Sequence, residues 1–129
     1  MITKGYKKLL EEAEAVIETL TVEDAKSLHG GENVTFVDIR DVREVKREGK
    51  VAGALHAPRG MLEFWIDPES PYHRDVFATG NKFVLYCASG WRSALAAKAL
   101  QEMGFGPVAH VGGGFTAWNE AEGPVDAPE

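Results

Sequence analysis

Val84-Leu85-Tyr86-Cys87-Ala88-Ser89-Gly90-Trp91-Arg92-Ser93 is the stretch on which the fold turns. Lys82 to Tyr86 is mainly apolar, aromatic and β-branched, and reads as a buried strand. The strand ends at a cysteine. A short loop with one glycine follows, and Ser93 to Met103 is alanine-rich and helical. In open α/β sheets, ligands bind beyond the carboxyl ends of the strands. A helix N-terminus there offers unpaired N–H groups and a partial positive charge. Successive loop amides can curl into an anion cradle, and Gly90 supplies a residue free to take φ > 0 in that curl. A thiol so placed has a depressed pKa, and Arg92 adds a fixed positive charge. Cys87 is the chain's one cysteine, so it has no partner for an internal disulfide or a multi-cysteine zinc site. It is either a buried inert thiol or a thiolate nucleophile beside an anion site. The Cys-x-x-Gly-x-Arg setting favours the nucleophile.

Outward from this stretch the pattern alternates. Lys4 to about Val16 carries Leu9, Leu10, Ala13, Val16 and Ile17 at helical spacing opposite a charged face. A short extended piece, Ile17 to Leu20, follows. Thr21 starts a helix in capping-box style, and Gly30-Gly31 should stop it. Val34 to Ile39 reads as a buried strand, and Asp41 as the cap of a short helix through Arg47. A short strand is expected near Ala54–Ala57 and a helical turn over Met61 to Ile66. Val108 to Val111 is a further strand. Gly112-Gly113-Gly114 is the tight turn into a last helix with Phe115 and Trp118. Strands alternating with helices imply crossovers, hence an α/β fold with a mostly parallel sheet and helices on both faces.

The chain has 129 residues, one domain's worth, with 44% hydrophobic and 26% charged residues, normal for a globular protein. There are 14 Lys+Arg against 20 Asp+Glu, a net charge of -6 with no basic stripe, which argues against nucleic-acid binding. The longest apolar stretch, about Phe83 to Ala88, is far below the ~20 residues of a membrane helix. The N-terminus runs into acidic residues rather than a signal-like apolar segment, so a soluble, cytoplasmic protein is expected. His29, His56, His73 and His110 show no close ligand spacing, and no metal is expected; His56 and His110 read as structural.

Four segments, in order, resemble one family. Cys87 to Ser93 looks like the active-site loop of single-domain rhodaneses, the thiosulfate sulfurtransferases. Val37-Asp38-Ile39-Arg40-Asp41 resembles the family's Val-Asp-x-Arg element. Gly49 to Pro58 resembles its Gly-His-Ile-x-Gly-Ala segment, with Lys50 in place of histidine. Val111 to Trp118 resembles its Gly-Gly-x-x-x-Trp ending. The resemblance implies a three-layer rhodanese-like fold over residues 17–124. Residues 1–16 would be an amphipathic helix extension and 125–129 a loose tail. It implies that Cys87 takes the sulfane sulfur of a small anionic donor, such as thiosulfate, as a persulfide. The loop residues Ala88, Ser89, Gly90, Trp91, Arg92 and Ser93 would bind the substrate. With no second cysteine, an external thiol, cyanide or a protein acceptor must remove the sulfur, and no organic cofactor is implied.

Supporting roles are also expected. Asp38 either caps a neighbouring loop or fixes the cysteine loop or its arginine, and Arg40 pairs with Glu44 one turn on. Trp91 is a partly exposed aromatic of the pocket rim. Ser89 and Ser93 reach bound sulfur, or Ser93 caps its helix. Arg59 is either solvated or adds charge to the site, and the segment 59–75 is a candidate pocket wall. Met61, Phe64 and Trp65 are core or rim. The rivals are a sulfur-carrier or interaction module for a protein partner, and a phosphatase or arsenate reductase of the same fold. In tyrosine phosphatases the Cys-to-Arg loop is one residue longer than the Cys-x4-Arg found here.

Overall fold

The computed structural model describes residues 1–128. Five strands form one sheet: β1 (Glu18–Leu20), β2 (Val34–Asp38), β4 (Leu55–His56), β5 (Lys82–Tyr86) and β6 (Val108–Val111), in the order β1-β6-β5-β2-β4. Every pairing in it is parallel. Parallel neighbours need crossovers, and these carry the helices α2 (Val22–Leu28), α3 (Val42–Glu48), α4 (Leu62–Ile66) and α5 (Trp91–Glu102); α1 (Tyr6–Glu14) precedes the sheet and α6 (Gly114–Glu120) follows its last strand.

Side chains alternate across the sheet and divide the core in two. Val37, Phe83 and Leu85 point to one face, where they meet Leu62 of α4 and Ala96, Ala97 and Leu100 of α5. Phe36, Val84 and Tyr86 point to the other, against Ala25 of α2 and Phe115 and Trp118 of α6. α1 lies outside this frame and packs on α5. β5, the central strand, is buried along Phe83–Tyr86, as both-faced covering demands.

The local chemistry reads through at several ends. Thr21 Oγ1 accepts from Asp24 N–H, and Asp41 and Glu44 close a full capping box at α3. α2 ends at Leu28, before the glycines. α5 begins at Trp91 instead of Ser93, because Gly90 is its left-handed N-cap.

The sequence predicts a loose tail over residues 125–129. Instead Val125–Asp126 form β7, antiparallel to β3 (Lys50–Val51). Lys50 Nζ and the Gly53 N–H both donate to Asp126, which fastens this end to the turn before β4. Glu129 lies outside the described residues. No helix among the described residues is long and apolar enough to cross a membrane.

Candidate active site

The parallel register brings the carboxyl ends of β2 and β5 together, Asp38 opposite Tyr86. Cys87 follows at the rim, 1% exposed. The loop after it is shaped from outside by α6. Phe115 N–H donates to the Cys87 carbonyl at 2.8 Å, and Thr116 N–H to the Ala88 carbonyl at 3.1 Å. With those carbonyls held outward, the following amides turn inward onto the sulfur, and Gly90 N–H donates to Cys87 Sγ at 3.1 Å. Gly90 takes φ 113°, inside the left-handed region that glycine tolerates.

Burial pushes the Cys87 thiol up. The Ser93 hydroxyl and the N–H groups of Ser93, Gly90 and Ser89 outweigh it and leave the thiol below its ordinary value. The alkylation rate of Cys87 by iodoacetamide should therefore rise with pH through a midpoint below that of a free cysteine. A midpoint at or above ~8.5 would contradict the cradle.

The close approach of α6 requires Gly114. Its φ is +57°, and a Cβ there would lie 2.5 Å from the Cys87 carbonyl oxygen and 2.7 Å from that of Ala88. Both atoms are backbone and cannot swing away. Gly114→Ala is expected to cost on the order of 1–3 kcal/mol and to spread the loop. A chemical-denaturation midpoint and the Cys87 alkylation rate should both fall; an unchanged pair would show that the loop does not depend on this contact.

Several expected roles change. Asp38 does not touch the cysteine loop or Arg92. It accepts from the Arg40 side chain (Nη2 at 2.7 Å, Nε at 3.0 Å) and from the Arg40 N–H at 3.0 Å, and both residues are fully buried. Arg40 Nη1 reaches Glu48 at 3.1 Å and Nη2 the Gly49 carbonyl at 2.7 Å, so its carboxylate partners are Asp38 and Glu48, not Glu44. Its guanidinium sits 4.3 Å from the Phe115 ring centroid, under the same helix that shapes the loop. The pair braces the floor of the site and touches no sulfur.

Glu44 instead holds Arg92. Nη1 and Nη2 donate to its two carboxylate oxygens at 2.8 and 3.0 Å, a bidentate pair at the surface. The guanidinium is kept charged first by this bond, against some desolvation, with Cys87 a smaller cause. Arg92 thus reaches the site as half of an ion pair rather than as a free cation. Arg59 is committed to Glu63, 2.7 Å away, and adds no free charge to the site. Trp91 is exposed, opens α5, and packs on Tyr6 of α1 with ring centroids 5.1 Å apart. The far part of the segment 59–75 lines a different cavity. Ile66, Asp67, Pro68 and His73 line a cavity of about 480 Å³ with Met103 and Phe105, at the opposite end of α5.

The sequence alone assigns His110 a structural role. It is buried beside Ser93, with Ser93 Oγ 2.9 Å from its Nδ1, and Ser93 Oγ is 3.6 Å from Cys87 Sγ. No spacing rule joins residues 87, 93 and 110. The hint was in the strands, since neighbouring parallel strands place β6 beside β5.

The rhodanese-like domain family matches residues 21–121. The chain is 37% identical over 98 residues to a sulfurtransferase of Allochromatium vinosum, covering 76% of this chain and 83% of that one. Among solved structures, it superposes with TM-score 0.95 and 56% identity on a Rhodopseudomonas palustris protein of unknown function described as a possible tyrosine phosphatase, covering 98% and 97% of the two chains. It also matches the polysulfide-sulfur transferase homodimer of Wolinella succinogenes at 31% identity and TM-score 0.70, over 94% and 86%.

Proposed function

The chain belongs to the rhodanese-like domain family, and on that premise we propose that it is a sulfurtransferase working through a Cys87 persulfide. The observation that carries the reading is the thiol itself: a buried sulfur at a strand end, ringed by inward N–H groups that favour its anion. The thiolate attacks the outer sulfur of an anionic sulfane donor. The donor's S–S bond breaks, its remainder leaves with the electron pair, and Cys87 carries the sulfur as a persulfide. The N–H groups of Ser89, Gly90 and Ser93 face the charge that develops there. A second nucleophile, whether cyanide, a small thiol or a protein thiol, removes the sulfur and restores Cys87. Thiosulfate is the donor to test first. The polysulfide named for the Wolinella succinogenes neighbour is a donor of the same class.

The test is the intact mass of the reduced protein after thiosulfate alone. A gain of one sulfur atom, reversed by cyanide, is expected; no gain from thiosulfate or polysulfide would end this reading. The phosphatase description of the Rhodopseudomonas palustris neighbour supports a second reading. The Cys-x4-Arg loop, one residue shorter than that of tyrosine phosphatases, weighs against it. No hydrolysis of a chromogenic phosphate ester is expected.

The Glu44–Arg92 pair bears on the donor. Glu44 shares the positive charge that an incoming anion would use. Glu44→Gln should lower the KM for thiosulfate by about two- to fivefold, the range an exposed ion pair is worth, and move kcat less. A KM that rises would mean that Glu44 positions Arg92 for the donor rather than competing with it.

A further inference from the structure

Four polar side chains continue inward from Cys87 and then out to the surface. Ser93 Oγ is 3.6 Å from Cys87 Sγ and 2.9 Å from His110 Nδ1. Thr19 Oγ1 is 3.0 Å from His110 Nε2 and donates to Glu14 Oε2 at 2.8 Å. Glu14 Oε1 is itself 3.6 Å from Nε2. Ser93 and His110 are buried, while the Glu14 side chain is 47% exposed. The directions are consistent along the row. Thr19 spends its one proton on Glu14, so its oxygen accepts from His110 Nε2–H, and Nδ1 is left to accept from the Ser93 hydroxyl. The Ser93 oxygen is then free to accept from the Cys87 thiol.

We propose that Ser93, His110 and Glu14 form a relay that draws the proton from the Cys87 thiol. This inference deepens the sulfurtransferase reading and rests on it. The S–H bond breaks and its electron pair stays on Sγ. The proton passes to Ser93 Oγ as the Ser93 hydroxyl proton moves to His110 Nδ1. The imidazolium so formed faces Glu14, whose carboxylate balances its charge. His110 and Glu14 are positioning and proton-carrying residues; neither touches the donor.

The register makes the row possible. Thr19 and His110 are paired across β1 and β6, and Leu85 and His110 across β6 and β5, so β6 presents the ring toward α5 and its Ser93. The charged or titratable groups that face His110 are Glu14 from α1 and, through Ser93, Cys87 at the end of β5; β1 offers Thr19. Burial pushes the imidazole below its ordinary value, so the resting ring is neutral, and the Glu14 carboxylate 3.6 Å away is what favours the imidazolium once the proton arrives. Glu14 and Thr19 lie before residue 21, outside the stretch that the family matches. α1 therefore completes a site that the matched residues alone leave open.

The test is the rate of Cys87 alkylation by iodoacetamide against pH in the wild type, His110→Gln and Glu14→Gln. Glutamine at 110 keeps an acceptor for Ser93 but no base. Iodoacetamide reads the thiolate alone, so the outcome does not depend on whether thiosulfate delivers sulfur. At pH 7 the rate should fall about tenfold in His110→Gln, one pH unit's worth, and about threefold in Glu14→Gln, with full rates regained at higher pH. Glu14 is half exposed, so its variant folds even if His110→Gln proves unstable. Midpoints equal to the wild type in the folded variants, or a rate loss equal at every pH, would overturn the relay.

Discussion

Cys87→Ser is expected to abolish sulfur uptake from thiosulfate: the variant should gain no sulfur and support no transfer to cyanide above background. Serine is close in size and retains the contacts that Gly90 N–H and Ser93 make at this position. An alcohol is not ionised near neutral pH and forms no stable link to a sulfane sulfur, so the carrier of the reaction is gone while its cradle stays. The substitution sits at a 1% exposed site without changing volume much, and folding stability should move by only about 1 kcal/mol. Intact mass after thiosulfate and a cyanide-trapping assay, run beside a denaturation curve, separate the two effects. Residual transfer by a folded Cys87→Ser protein would sink the persulfide mechanism, because the chain holds no other thiol.

Asp38→Ala produces the largest expected loss of stability. Asp38 and Arg40 are fully buried and joined by bonds of 2.7 and 3.0 Å. Removing the carboxyl group leaves a guanidinium in the interior with only Glu48 and the Gly49 carbonyl to serve it. Breaking a buried pair from one side costs about 3–5 kcal/mol, a large share of the ~5–15 kcal/mol that holds a domain together. The denaturant midpoint should drop accordingly. Adding Arg40→Leu to Asp38→Ala should recover part of the loss, since the second change removes the stranded charge. If Asp38→Ala alone costs less than about 1 kcal/mol, the pair does not brace the site floor. The pH midpoint of Cys87 alkylation in the folded variant should stay where it is in the wild type, because Asp38 makes no contact with the loop.

The two predictions divide along the line between what the chain states locally and what it states only when folded. The strand before Cys87, the glycine after it and the helix beyond are all readable in the one run from Lys82 to Met103. Their signals are short-range: β-branched and apolar side chains, one residue able to take positive φ, an alanine-rich run. The same holds for Thr21 and Asp41, whose side chains cap helices within three residues of themselves. The family resemblance was legible for a related reason, since its four segments are contiguous motifs.

Pairings of charges were not legible. Arg40 had Glu44 one helical turn away in sequence, yet the chain bends at Arg40 and buries its side chain against Asp38, while α3 directs Glu44 outward to Arg92, 48 residues on. The end of the chain looked loose because two prolines flank it, and only the edge of β3 gave Val125–Asp126 a partner. His110 carried no motif at all; the parallel register of β1, β6 and β5 set it between Thr19 and Ser93. By itself, then, the sequence determined most of the elements, their alternation and the loop that carries Cys87, because hydrophobic period and backbone preference act over a few residues. The tertiary structure alone decided which carboxylate meets which arginine and what lies behind the thiol. An ion pair or hydrogen bond is fixed by ångström distances across strands, and sequence separation does not encode those.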